Sequence, residues 1–222
     1  MATSEGNFPL QATSIDELTL SDHYYLDEDD SCMFIGEYTS SAGYQHSATN
    51  QLIINLKKGM DRRNQPEWRY KEAAILQAAQ TIEGVLNESA LNEFTFVPIP
   101  PSKVRGDPDH DDRMLRMVQA IRPSKPVDAR ELIIQTESTD AIHTSRNRLA
   151  PDEIEALYRI DEGQVLPAPA AIILVDDMLT TGAHFKAAQS VLRKQFPGVP
   201  VYGLFVARRA LSQNDDFEPI PD

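Results

Sequence analysis

The stretch Ile172-Ile173-Leu174-Val175-Asp176-Asp177-Met178-Leu179-Thr180-Thr181-Gly182-Ala183 decides the fold of this chain. Residues 171–175 are continuously apolar, as expected of a strand covered on both faces. From about 183 to 195, Phe185, Ala188, Val191 and Leu192 fall on one side of a helix. Val201 to Val206 supplies another strand. Elements of this size make a right-handed β-α-β unit in a parallel sheet. Open sheets of that kind place ligands at the carboxyl ends of their strands. Asp176 and Asp177 stand at such an end, pointing in different directions. They suit two hydroxyls, or one hydroxyl and a hydrated cation. Thr180, Thr181 and Gly182 lead into the helix, whose first amides lack internal partners and carry partial positive charge. Such amides bind a phosphate, the threonine hydroxyls add donors, and Gly182 removes a Cβ that would block close approach. Carboxylates and cradle stand about one turn apart, which matches a ribose 5-phosphate end to end. A plainer reading has an aspartate capping the helix while Thr-Thr-Gly turns. A cap needs one acidic residue, however, and leaves the rest unexplained.

Outward from this core, Phe94 to Ile99 reads as a strand closed by Pro100-Pro101. A helix is predicted over 49–58, with Leu52, Ile53 and Leu56 on one face and Gly59 as its stop. A second begins near Pro66 and presents Ala74, Ile75, Ala78 and Ile82 before Gly84. Met114, Met117, Val118 and Ile121 give a helical face, and Leu132-Ile133-Ile134 a short strand. Residues 1–30, ending in acids at 27–30, read as a solvated arm. The division is an arm over 1–48 that is partly irregular, a helical lead-in over 49–93, a core over 94–211 and an acidic tail over 212–222. Within the core, 136–168 looks irregular apart from a helical turn after Pro151.

Hydrophobic residues make up 41% of the 222, enough for a full core. The net charge of −13, from 34 acidic and 21 basic side chains, repels a nucleic-acid backbone and argues against nucleic acid as the main partner. Cys32 is the only cysteine, so no disulfide closes within the chain and no thiolate zinc site arises from it alone. The N-terminus lacks a basic start with an apolar core, and no run of ~18 apolar residues exists. A cytoplasmic location without a membrane partner is the expectation. Asp109-His110-Asp111-Asp112 reads as a helix start with acids at its favourable end. Trp68 and Tyr70 read as packing residues.

The run 172–183 resembles the ligand-binding signature of the type I phosphoribosyltransferases, where a hydrophobic strand, two acids and a Thr-rich Gly loop bind phosphoribosyl pyrophosphate. The resemblance implies an α/β fold: a parallel sheet flanked by helices, with a flexible hood at about 136–168. It implies that Asp176 and Asp177, the catalytic pair, meet the ribose 2- and 3-hydroxyls and touch Mg²⁺ indirectly. Thr180, Thr181 and Gly182 would hold the 5-phosphate, with backbone contacts from Met178, Leu179 and Ala183. Phe96 to Gly106 is similar to the family's pyrophosphate loop, with Lys103 and Arg105 as donors. Leu52 to Lys57 and Val97 to Pro100 resemble the ComF-like branch. That branch's Arg-Gly-Phe-Asn-Gln run is replaced here by residues 105–113, and the Gln of its hood is absent at Thr139-Asp140. Arg146 and Arg148 would descend from the hood. Arg208 and Arg209 follow the last strand and either face the ligand edge or bridge to the acidic surface.

The implied reaction is displacement at an anomeric carbon by a nitrogenous acceptor, with pyrophosphate leaving and Mg²⁺ neutralising it. Relatives often pair, so a homodimer is implied. The rival is a binding module that holds the same ligand without turning it over. A Mg²⁺-dependent phosphatase built on Asp176 would want a carboxylate at position 178, where Met178 stands.

Overall fold

The computed structural model of the protein describes residues 11–139 and 149–210. In chain order these form β1 (Thr13–Ser14), β2 (Cys32–Thr39), α1 (Ala48–Leu56), α2 (Trp68–Val85), α3 (Glu88–Glu93), β3 (Thr95–Pro98), α4 (Arg113–Gln119), β4 (Asp128–Ala129), β5 (Ile133–Gln135), α5 (Pro151–Ala156), β6 (Tyr158–Ile160), β7 (Ile172–Leu179), α6 (Ala183–Gln195) and β8 (Val201–Ala210). The fold is α/β, with a mostly parallel central sheet flanked by helices. Its order is β1-β2-β8-β7-β3-β4, and only β1 runs antiparallel to its neighbour. β5 and β6 form a separate antiparallel pair.

Alternation along β7 feeds both layers. Ile173 and Val175 pack with α1, α2 and α4 on one face, while Ile172 and Leu174 pack with α6 on the other. A strand covered on both faces needs apolar residues throughout, which is why 171–175 carries no polar side chain. α1 starts where Ser47 accepts the Asn50 amide at 3.0 Å, a side-chain N-cap. α6 starts instead from Gly182, whose φ of +85° is a left-handed conformation.

The winding reverses between β3 and β7. From β3 the chain passes through α4 to β4 on one side; from β7 it passes through α6 to β8 on the other. The two helices lie on opposite faces. Adjacent strands whose connections diverge leave a crevice at their carboxyl ends, the usual ligand position in such sheets.

The structure refines several expectations. Residues 11–48 are irregular in part, as expected, but they are not a solvated arm: β2 lies inside the sheet, paired to both β1 and β8, and His23, Leu26 and Asp30 are buried. Gly36 had masked this strand. A Cβ there would lie 2.5 Å from the Thr49 Oγ1, so glycine is what lets α1 close onto β2. Leu132-Ile133-Ile134 does supply a short strand, β5, which pairs with β6 outside the main sheet, whose edge strand is β4. In the described parts of 136–168, α5 is the helical turn expected after Pro151, and β6 is a strand that the irregular reading did not include. β7 runs on to Leu179 and β8 to Ala210, past the apolar runs that announced them.

Packing at Gly203 gives a test. A Cβ there would stand 2.8 Å from Cys32 Sγ and 2.9 Å from the Phe185 and Phe205 rings. Gly203→Ala is expected to cost about 1–3 kcal/mol in urea unfolding. Gly84→Ala, in open space near the end of α2, should be neutral or stabilising by up to ~1 kcal/mol.

Candidate functional site

β3 abandons β7 early. Pro98 faces Val175, the Ile99 amide still bonds the Val175 carbonyl at 2.9 Å, and the pairing then ends. On the other side β8 stays paired to β7 as far as Leu179. Asp176 and Asp177 therefore sit on a strand held along one edge and open along the other. That step is the crevice predicted by the reversal of winding.

The two carboxylates are not equivalent. Asp177 is 2% exposed and has its oxygens occupied: Arg113 Nε and Nη2 donate to Oδ2 at 2.9 and 2.7 Å, and Lys57 Nζ lies 3.4 Å from Oδ1. These cations outweigh burial and hold its pKa down, to about 2. Asp176 is only partly buried, and its Oδ1 accepts the Asp177 amide at 2.7 Å. Desolvation, then repulsion from Asp177, pushes its pKa up to about 7. As folded, Asp177 is a fixed anion committed to the protein, and Asp176 is the carboxyl with capacity to spare.

The charge continues inward as a chain of alternating sign. Arg113 Nη1 also donates to Asp111 Oδ2 at 2.7 Å, which in turn takes Lys71 Nζ at 2.6 Å. Lys71 is fully buried, and its other two donors go to the carbonyls of Leu56 and Lys58 at 2.7 and 2.8 Å. All three ammonium hydrogens are used, two of them on carbonyls that α1 cannot satisfy at its C-terminus. Asp111 is a helix-start acid as expected, its Oδ1 accepting the Arg113 amide at 3.1 Å, and it is also the counter-ion of Lys71 and Arg113. Lys71, Arg113 and Lys57 outnumber Asp111 and Asp177, so the crevice wall carries one positive charge beyond its own pairing. Asp176, when ionised, or an anionic ligand offsets it.

Thr180, Thr181 and Gly182 form the loop from β7 to α6. The N-terminal segment packs against it. His23 Nδ1 meets the Thr180 carbonyl at 2.5 Å, and the Tyr25 amide donates to the Thr181 carbonyl at 2.9 Å. A Cβ on Gly182 would meet the Leu26 side chain at 2.7 Å. Glycine is thus required by the loop's positive φ and by Leu26, besides any ligand. One turn into α6, Lys186 is held by Asp27 and Asp30 at 2.7 and 2.8 Å. On the far side Tyr158, on β6, contacts His184 Nδ1 through its hydroxyl at 2.9 Å, and burial and the negative charge of Asp176 raise its pKa.

Lys103 and Arg105 leave the end of β3, at the same sheet edge as Asp176. The Lys103 carbonyl accepts His110 Nδ1 at 2.8 Å, and Thr139 bonds the Ser102 carbonyl at 2.9 Å, tying this loop to the segment after β5. The Arg105 guanidinium is paired with Glu131. Arg208 points to neither ligand nor solvent: it bridges Asp22 and Glu37 beneath Phe34. Cys32 is buried, and burial raises its thiol pKa. Tyr70 is 45% exposed between Lys58 and Arg69, not packed inside as expected. Arg146 and Arg148 lie outside the described residues. Among the described residues no group of three or more His, Cys, Asp or Glu is arranged to hold a metal, and no helix is long and apolar enough to cross a membrane.

Lys71, Arg113, Asp111, His23 and Tyr158 were not singled out from sequence as site residues. One signal was present: Lys71 falls on the same helical stripe as Ala74, Ile75, Ala78 and Ile82, a core position where a lysine demands a counter-ion. No protein-family model matches this chain, and no curated protein matches it.

The inequivalence of the carboxylates is testable without ligand. Asp177→Asn leaves Arg113 and Lys57 short of an anion and should cost about 3 kcal/mol in chemical unfolding at pH 7. Asp176 behaves oppositely. Its folded pKa exceeds its unfolded one, so its contribution to stability falls as pH rises from about 4 to about 7. Asp176→Asn should therefore raise Tm by roughly 2–4 °C at pH 8 and leave it unchanged at pH 4. A variant less stable than wild type at pH 8 would contradict the assignment.

Proposed function

We propose that this chain is a type I phosphoribosyltransferase-like protein that binds phosphoribosyl pyrophosphate, with Mg²⁺, in the cytoplasm. One observation carries the reading: a half-buried carboxyl, Asp176, stands at the winding reversal, three residues of strand before a loop that opens α6. Asp176 offers an acceptor for a ribose hydroxyl, and the first amides of α6 suit the 5-phosphate. The surplus positive charge of Lys57 and Arg113 behind Asp177 favours a polyanion in the crevice. Lys103 and Arg105, at the neighbouring strand end, lie on the edge where a pyrophosphate would extend.

The donor set fits Mg²⁺ in a limited way. Arg113 takes Asp177 Oδ2 and Lys57 lies 3.4 Å from Oδ1, so Asp176 is the more available strand-end carboxylate for a hydrated ion whose other ligands come from phosphates. When bound, the ion neutralises charge developing on the pyrophosphate oxygens. In the transfer, a bond forms between an acceptor nitrogen and the anomeric carbon as the carbon–oxygen bond to pyrophosphate breaks. The electron pair leaves with pyrophosphate, and the nitrogen's proton passes to solvent or a base. Asp176, ionised above neutrality, stabilises the cationic sugar. Tyr158 and His184 wall the site on the α6 side. A nitrogenous acceptor and a homodimer complete the proposal.

A second reading has its own support. Arg105 is engaged by Glu131 and Asp177 by two cations, so the groups that would grip the leaving group and the sugar are partly spent within the protein. That suits a module that binds the ligand without turning it over.

Thermal unfolding with millimolar Mg²⁺ and phosphoribosyl pyrophosphate tests the proposal. Ligand at a hundredfold excess over Kd adds about 2.7 kcal/mol, a rise of roughly 5–10 °C, and Asp176→Asn should remove most of it. An unmoved wild-type Tm sinks the reading. Pyrophosphate release with a panel of nitrogenous bases marks an enzyme; a shift with no release from any base marks the binding module.

A further inference from the structure

The contacts between the N-terminal segment and the β7–α6 loop fall on carbonyls, and this has a geometric consequence. In a trans peptide the carbonyl of one residue and the amide of the next point in opposite directions. Among the described residues the one cis bond is Leu166–Pro167, so the loop's peptides are trans. His23 holds the Thr180 carbonyl, and the Thr181 amide therefore points away from the N-terminal segment. Tyr25 holds the Thr181 carbonyl, and the Gly182 amide points away likewise. Two of the amides assigned to a phosphate are thus aimed by residues more than 150 positions earlier. Leu26 against Gly182, and Asp27 and Asp30 on Lys186, fix the same segment to the first turn of α6.

We propose that His23 is a positioning residue for the anion site: by donating from Nδ1 to the Thr180 carbonyl, it orients the peptide whose amide meets a phosphate monoester. The inference rests on the reading that the loop holds a phosphate. His23 suits the task because it is 1% exposed and its Nε2 is buried without a hydrogen-bond partner. That nitrogen has nothing to receive a proton's hydrogen bond, so the ring is held neutral with its one hydrogen on Nδ1. Burial, which lowers its pKa, acts in the same direction. A flip of the Thr180–Thr181 peptide, which would turn ψ of Thr180 and φ of Thr181, is the motion the contact blocks.

Ribose 5-phosphate, which needs no metal, is the probe. By titration calorimetry His23→Leu should weaken it on the order of tenfold. His23→Asn places an amide donor where Nδ1 stands and should recover most of the loss. Amide exchange at Thr181 and Gly182 should quicken in His23→Leu and return in His23→Asn, with the β7 and β8 amides unchanged. If wild type binds and His23→Leu binds as well, the inference fails while the phosphate reading stands. Asparagine failing to restore a weakened site also overturns it, because shape rather than the hydrogen bond would then be what matters. No binding by wild type overturns both. Should His23→Leu not fold, wild-type exchange decides: ribose 5-phosphate should slow exchange of the Tyr25 amide, and no change refutes the coupling.

Discussion

A parallel sheet that loses a neighbour partway along a central strand exposes polar backbone and admits side chains that could not sit inside it. That is what happens when β3 leaves β7 after Ile99, and most features of this molecule answer to it. Asp177 at the step is buried, and a buried carboxylate is tolerable only with counter-charges. Arg113 and Lys57 supply them, but Arg113 then needs Asp111, and Asp111 brings in Lys71. Three helices are drawn into register by this chain of charge. Removing Asp111 leaves the buried Lys71 ammonium without its counter-ion, a far larger penalty than the net worth of the pair.

The same step separates two adjacent aspartates chemically. One is held as an anion by its cations; the other has its pKa raised by desolvation and by its neighbour's charge, against the weaker pull of the same cations. Pairs of carboxyls driven apart in this way mark places where a protein has reserved one of them for something else. The neighbouring loop, with its carbonyls tied to the N-terminal segment, supplies an oriented set of donors a few residues away. The sugar phosphate we propose as ligand would span those two features.

Sequence reading reached β7, α6 and the α/β class because a continuous apolar run followed by a helical stripe admits few other folds. Asp176 and the Thr-Thr-Gly loop were legible for the same reason, being contiguous with that strand. What stayed hidden depends on long-range contacts. β2 reads poorly because Gly36, demanded by the approach of Thr49, interrupts it. The role of His23 lies 157 residues from its partner, and nothing local distinguishes it from a surface histidine. The arginine on Asp177 comes from the helix after β3, 64 residues upstream. Periodicity says which face is buried; it does not say which charges must share it. Lys71 is the instructive case, since its place on an apolar stripe called for an anion without naming Asp111.

The proposed ligand, a ribose phosphate, would lie across Asp176 and the start of α6. The structure of the chain crystallised with phosphoribosyl pyrophosphate and Mg²⁺ examines that most directly. The expected result is the 5-phosphate against the amides of Thr181, Gly182 and Ala183, with the ribose over Asp176 and Arg113 still on Asp177. Ligand bound elsewhere, or a crevice without ligand at saturating concentration, would contradict it.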